Sequence, residues 1–215
     1  GDANHLVDTI TPVIHAVLQM YPLPQEIQRV QPLIQGHINA TYRVQVADET
    51  GVEDLVIQRI NDTVFTKPIL VMENAQTIAD HASRRQSSKD CGILQFLPSR
   101  EGKNYTVVQN GVWRISRFVP DSVAYDTVER PELLEQAAWA FGRFQWLLAE
   151  LPAHQVHETI PEFHHTPKRL DALFHAVQSD PFGRVSRCED LIHGFRRSVE
   201  KASILQTLRE NGVLR

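Results

Sequence analysis

Gly36-His37-Ile38-Asn39-Ala40-Thr41-Tyr42 stands between two runs of alternating apolar residues, and its reading decides the fold. Residues 27–34 precede it and residues 40–46 overlap its end, and both alternate as half-buried strands do. Gly36 to Asn39 is therefore expected at the tip or flank of a hairpin, with a third strand over residues 54–60. Unpaired backbone N–H groups at such a glycine turn can cradle phosphate oxygens without a large basic patch. The plainer reading is an ordinary hairpin with glycine at a positive φ.

Working outward, residues 66–80 suit a helix, with Thr66 as N-cap and Pro68 in the first turn, where its missing N–H costs little. Two further strands follow, joined by the tight-turn pair Asn110-Gly111. The last of them, residues 112–119, runs into Pro120-Asp121. Residues 84–90 read as a surface loop leading to a strand at 93–97. Ahead of the sheet, residues 5–20 form an amphipathic helix with Leu6, Ile10, Val13, Val17 and Met20 on one side, expected to pack on the same lobe. Five strands with one helix between the third and fourth make an α+β lobe ordered like the small lobe of protein-kinase-like folds. In that arrangement Arg117, Phe118 and Val119 fall at the hinge, where exposed backbone would meet an adenine edge.

The second part reads differently. Residues 131–151 give a long helix with Leu134, Ala137, Ala138, Phe141, Phe144, Leu147, Leu148 and Leu151 on its apolar side, and Trp139 and Trp146 read as packing residues. Later helices are expected over 167–179 and 189–210, with Gly212 as a stop. The division is expected near residue 120: a nucleotide-facing lobe over 1–120 and the opening helices of a second lobe over 121–215. There is no internal repeat and no low-complexity tract.

Four blocks in order, Gly36 to Tyr42, Ile57-Gln58-Arg59-Ile60-Asn61, Trp113-Arg114-Ile115-Ser116-Arg117-Phe118 and Glu158 to Arg169, resemble the N-acetylhexosamine 1-kinases of the aminoglycoside phosphotransferase and choline kinase group. The resemblance runs from about residue 30 to residue 215 and covers the N-terminal part of that family. It implies a bilobal kinase that passes the γ-phosphate of ATP, with Mg2+, to the anomeric hydroxyl of N-acetylglucosamine or N-acetylgalactosamine. It also implies nucleotide contacts from Gly36, Ile38, Asn39, Gln58, Arg117, Phe118 and Val119, and a sugar contact from His37.

Two departures matter. Gln58 stands where most kinase-like proteins carry the lysine that grips the α and β phosphates, as it does in the closer family. A neutral amide donates hydrogen bonds but brings no charge. Arg59 is a candidate replacement, although strand alternation aims it at the opposite face from Gln58. Glu73 lies on the helix where an acid would pair with such a lysine, and without that lysine it reads as a surface residue. Asn39 suits a local turn bond as well as a ligand contact. The second departure is the family's His-x-Asp loop and later metal-binding Asp. After His164, His165 and His193 the residues two places on are Thr166, Pro167 and Phe195. Phosphoryl transfer needs a carboxylate to orient the acceptor and acids to hold magnesium. The expectation is therefore a severed kinase, inactive alone, with no catalytic or metal residue among these 215. The block Phe163-His164-His165-Thr166-Pro167 is explained by a helix start capped by Thr166.

Composition agrees with a globular chain. The net charge is −4 and the 22 Lys and Arg are scattered, Arg84-Arg85 and Arg196-Arg197 reading as solvated helix faces, which argues against nucleic acid or an anionic membrane as partner. No apolar run reaches membrane-spanning length, and the first residues lack a secretory pattern. Cys91 and Cys188 are far apart and read as free thiols of a reducing, cytoplasmic compartment. The competing readings are a non-catalytic binding or dimerising module, and a kinase-fold phosphotransferase for an amino alcohol, an aminoglycoside or another sugar. An apolar face around Val213 and Leu214 points to a homodimer or to association with a missing C-terminal part.

Overall fold

The computed structural model describes residues 2–34, 36, 38–87 and 92–214. They divide into two compact units, Gly1–Thr159 and Ile160–Arg215. The first is built on a five-stranded antiparallel sheet with strands β1 (Glu26–Pro32), β2 (Ala40–Asp48), β3 (Gly51–Arg59), β4 (Thr106–Val108) and β5 (Gly111–Arg117). Their spatial order is β1-β2-β3-β5-β4. Helix α1 (Asp2–Gln19) precedes the sheet, α2 (Pro68–Ser83) joins β3 to β4, and α3 (Pro131–Leu148) follows β5. The α+β class expected from the sequence is the observed one.

Alternation sorts the sheet into two chemically different faces. Tyr42 pairs with Ile57, Ile57 with Ile115 and Val44 with Leu55, so these side chains lie on one face. Against it α1 presents Ile14, Val17 and Leu18, at the spacing of one helix face, joined by Tyr21 just after the helix, and all four are fully buried. Burying each such side chain is worth about 1.5–3 kcal/mol, which makes this layer the main source of stability in the unit. The tyrosine hydroxyl enters the same layer, and burial pushes its pKa well above the ordinary range. Leu6, placed on the apolar side by the sequence, is instead about half exposed.

The opposite face carries Thr41, Gln58 and Arg114 in register. Helix α2 sits over it by a small second cluster, in which Met72 packs with Ile60 and Val112.

Several sequence expectations shift in the structure. α2 is capped by Lys67 with no side-chain bond, so Thr66 is not its N-cap. The β4–β5 turn is centred on Gln109 (φ 50°) and Asn110 (φ 59°), and Gly111 is the first residue of β5, paired with Val108. A type I′ turn needs two positive φ values, and asparagine accepts the second of them. One place later, a Cβ at Gly111 would lie 2.5 Å from Arg59 Nε, so a larger residue there would require the arginine side chain to move. The stretch 93–97 is not a strand; a single bond from Leu97 N to Ile115 O (2.7 Å) ties it to β5. Arg85 is not a solvated helix residue either, since its guanidinium stacks on Trp146 at 4.4 Å and lies 3.6 Å from Glu150.

The second unit is helical: α4 (Thr166–Ser179), α5 (Glu189–Arg197) and α6 (Ile204–Glu210), with short 3-10 turns at Val185–Arg187 and Val199–Lys201. The single helix expected over 189–210 is thus two, separated at Ser198, whose hydroxyl bonds back to the Gly194 carbonyl (3.1 Å). Such back-bonding competes with the helical ladder. Gly212 ends α6 as expected. At φ 71° it lets Val213 N reach the Leu208 carbonyl (2.8 Å), the six-to-one bond of a Schellman cap.

Candidate functional site

The glycine turn sits between β1 and β2, whose pairing runs up to Pro32 and Tyr42, with Leu33 N still bonded to the Thr41 carbonyl (2.8 Å). Gly36 is exposed and a Cβ there would meet nothing within 4 Å. Ile38 is about half exposed. His37, expected to meet the sugar, lies outside the described residues.

Two asparagines brace this turn against the end of β3. Asn61 N donates to Asn39 Oδ1 (2.9 Å), and Asn61 Nδ2 donates to the Ile38 carbonyl (3.0 Å). Asn61 Oδ1 in turn accepts from the backbone and hydroxyl of Thr63 (3.0 and 2.6 Å). The Asn39 carboxamide oxygen therefore ties the turn to the end of β3, a long-range bond in place of the local turn bond that the sequence suggested. Asn61 completes the bracket from 22 residues away, a pairing that only the antiparallel return of β3 creates.

Next to the turn, three side chains form a row across β2, β3 and β5. Gln58 Nε2 donates to Thr41 Oγ1 at 2.7 Å. Gln58 Oε1 accepts from Arg114 Nε at 2.8 Å and Nη2 at 2.5 Å. The fork of Arg114 fixes which way the amide points, because the guanidinium only donates. Arg114 also lies over the Phe96 ring at 4.4 Å and directs Nη1 toward Met72 Sδ at 3.7 Å. Burial pushes its pKa down to about 10, so it remains charged at neutral pH.

Farther along the same face, Arg43 bonds Asp54 at 2.7 Å and stacks on Phe118 at 3.8 Å. An open groove there is lined by Arg43, Glu53, Asp54, Arg117, Phe118 and Pro120. Arg117, Phe118 and Val119, expected at a hinge, lie at this end. Phe118 N donates to the Asp54 carbonyl (3.0 Å), extending the β3–β5 pairing by one bond. Arg117 pairs with Glu53 (2.8 Å), and the exposed Val119 offers its carbonyl to Ser122 (2.7 Å).

The remaining candidates fall elsewhere. Arg59 pairs with Asp62 (3.3 Å) and stands in register with Trp113 on the α1 face, so it does not join Gln58. Glu73 reaches His157 Nε2 at 2.8 Å. Its neighbour Asn74 clamps both backbone groups of His157, donating to its carbonyl (2.9 Å) and accepting from its N–H (2.8 Å). Glu73 and Asn74 are thus engaged with the segment after α3, while Met72 is the α2 side chain that approaches the Gln58–Arg114 pair. Among the described residues, no three His, Cys, Asp or Glu side chains gather where they could hold a metal ion. The acids nearest the polar face, Asp54 and Glu73, are each taken by a cation or imidazole, so no chemical step through magnesium is derived from these residues.

In the second unit the Phe163-to-Arg169 block closes on itself. His165 is the cap of α4, its Nδ1 accepting from Lys168 N (3.3 Å), and Arg169 Nε bonds the Phe163 carbonyl (3.2 Å). Thr166 is therefore inside the helix and is not its cap. Lys168 also pairs with Glu162 and holds that carboxyl below its usual range.

Sequence reading missed Arg114, Asn61 and His157 as partners. For Arg114 a signal existed: it lies in a quoted block, and strand alternation separates it from Trp113 and Ile115. Its pairing with Gln58 required knowing that β5 inserts beside β3.

No family model matches the chain. Solved structures resemble it, two of them phosphotransferases. One is an aminoglycoside phosphotransferase from Alicyclobacillus acidocaldarius, 15% identical over 76% of this chain and 43% of that chain, with a TM-score of 0.49. The other is a spectinomycin phosphotransferase in complex with ADP and spectinomycin, 12% identical over 94% of this chain and 59% of that one, with a TM-score of 0.47. The chain thus spans about half the length of these structures. Among the described residues no helix is long and apolar enough to cross a membrane.

Proposed function

We propose that this chain is the nucleotide-facing part of an ATP-dependent small-molecule kinase of the protein-kinase-like fold. Its acceptor, by the resemblance of its sequence blocks, is an N-acetylhexosamine phosphorylated at the anomeric hydroxyl. The observation that carries the reading is the polar row Thr41–Gln58–Arg114 beside the bracketed turn at residues 36–39, under α2. It sets a chain of hydrogen-bonding side chains and one positive charge without a carboxylate partner among the described residues on an otherwise structural sheet.

In this reading the row and the turn receive the phosphates, and the groove at Arg43 and Phe118 receives the base, an aromatic ring already stacked by a guanidinium being a suitable floor for another flat π system. Catalysis by positioning and charge is what phosphoryl transfer chiefly requires of a protein. These residues supply nucleotide positioning; the carboxylate that orients the acceptor is assigned to none of them.

Titration of the folded chain with ATP, with and without Mg2+, tests the reading, followed by N-acetylglucosamine, N-acetylgalactosamine, glucose, choline and an aminoglycoside. Saturable nucleotide binding, with amide shifts at Ile38, Gln58, Arg114 and Phe118, is expected. A folded chain that binds no nucleotide would overturn it. Preference for a non-sugar acceptor would leave the kinase and replace the acceptor.

A further inference from the structure

We infer that Arg114 is the phosphate-binding cation of this chain, the β5 residue that stands in for a lysine at position 58. The inference rests on the nucleotide reading above and names the group that gives it charge. Four other arginines of the first unit, Arg43, Arg59, Arg85 and Arg117, each lie within 4 Å of a carboxylate: Asp54, Asp62, Glu150 and Glu53. Arg114 has none among the described residues, although it is part-buried. Its partners are a neutral amide, a thioether and an aromatic ring.

An enclosed charge without a counter-charge costs stability, so a fold that keeps one gains little from it structurally. The surroundings of Arg114 orient it without neutralising it. Gln58 Oε1 takes two of its five N–H groups and Met72 Sδ a third. Two N–H groups, one on Nη1 and one on Nη2, are left in the guanidinium plane as donors for a phosphate oxygen. An acid at position 58 would make a stronger pair and would cancel the charge; glutamine keeps the geometry and leaves the charge available. The row lies at the end of the sheet where β2 emerges from the turn, with Gln58 of β3 standing between Thr41 of β2 and Arg114 of β5.

The test uses the whole 215-residue chain with adenosine, ADP, ATP and inorganic tripolyphosphate, comparing wild type with Arg114→Met, Arg114→Gln and Arg114→Lys by calorimetry and thermal unfolding. Wild type should bind ATP more tightly than adenosine. Arg114→Met should lose about tenfold to a hundredfold in affinity for ATP and tripolyphosphate, the worth of a charge-assisted hydrogen bond, with adenosine unchanged and the unfolding midpoint no lower. Arg114→Lys should fall between, having the charge and not the fork. Unchanged ATP affinity in a folded Arg114→Met or Arg114→Gln chain would overturn the assignment and leave the nucleotide reading standing, as would equal binding of ATP and adenosine by wild type. A folded wild type that binds neither would remove both. If both neutral variants unfold while Arg114→Lys does not, Arg114 is a structural post and the assignment falls.

Discussion

The two units of the chain hold themselves together in different ways. In Gly1–Thr159 the fully buried residues come from distant stretches, Ile14, Val17 and Leu18 from α1, Tyr21 just after it, and Val44, Leu55, Ile57 and Ile115 from three strands. In Ile160–Arg215 no described residue is buried, and Phe182, Leu191, Leu205 and Val213 are each more than 60% exposed. What orders that unit is local: the His165 cap, Asp180 in the left-handed region at φ 31° where its carboxylate accepts from Arg184 N (2.7 Å), and the Gly212 stop. Long-range burial makes one region cooperative, whereas local caps fix helix ends without supplying a core. Each cap is worth about 1 kcal/mol and most helical stability comes from packing.

The sharpest way to break this contrast is to damage the core. Ile57→Ala removes a fully buried side chain between α1 and the sheet and should cost about 2–5 kcal/mol. Hydrogen exchange should then rise throughout the strands and α1, while the amides of α4 to α6 keep their rates. Uniform loss across both units would show that they unfold as one.

A smaller effect is expected where the core meets the site. Asn61→Ala removes the donor to Ile38 and the acceptor of both Thr63 bonds, leaving the sheet's apolar layer intact. The cost should be about 0.5–2 kcal/mol, with faster exchange confined to residues 36–41 and 61–64. Nucleotide affinity should fall with it, and an unchanged turn would show that the Asn61 side chain braces nothing.

The smallest effect concerns pH at the β2–β3 turn. The Asp48 carboxyl is held below its ordinary range chiefly by the Thr50 hydroxyl (2.5 Å), with the Thr50 N–H adding to it (2.8 Å). A carboxyl with a lowered pKa in the fold binds its proton more tightly when unfolded, so its contribution is complete above the unfolded value of 3.8 and is lost as pH falls through the folded one. Amide exchange at Thr50, corrected for its intrinsic pH dependence, should rise only below about pH 4, and Asp48→Asn should flatten that profile. A profile unchanged by the substitution would place the titration elsewhere.

Much of the architecture was legible because its signals are local. Strict alternation marked β2, β3 and β5, the spacing of Val17, Met20 and their neighbours marked α1, and a glycine placed beyond the periodic run marked the end of α6. Where two local rules competed, the reading slipped by a residue. Asn110-Gly111 suggested the turn centre, and pairing of Val108 with Gly111 moved it to Gln109-Asn110. Thr166 looked like a cap and His165 took the role, because an imidazole nitrogen can accept the same backbone bond.

What the sequence alone determined is the alternation of faces, which put Gln58 and Arg59 on opposite sides of β3 and so weakened the case for Arg59 as a stand-in for the lysine. What only the tertiary structure decided is which distant residues share a face. The order β3-β5-β4 brings Arg114 to Gln58 across 56 residues, the return of β3 brings Asn61 to Asn39, and the course of the chain after α3 brings His157 to Glu73 across 84. Periodicity reports the side of a strand a residue occupies; its neighbour on that side depends on the pairing of strands, which is set by burial of the whole apolar layer and leaves no mark within any single stretch.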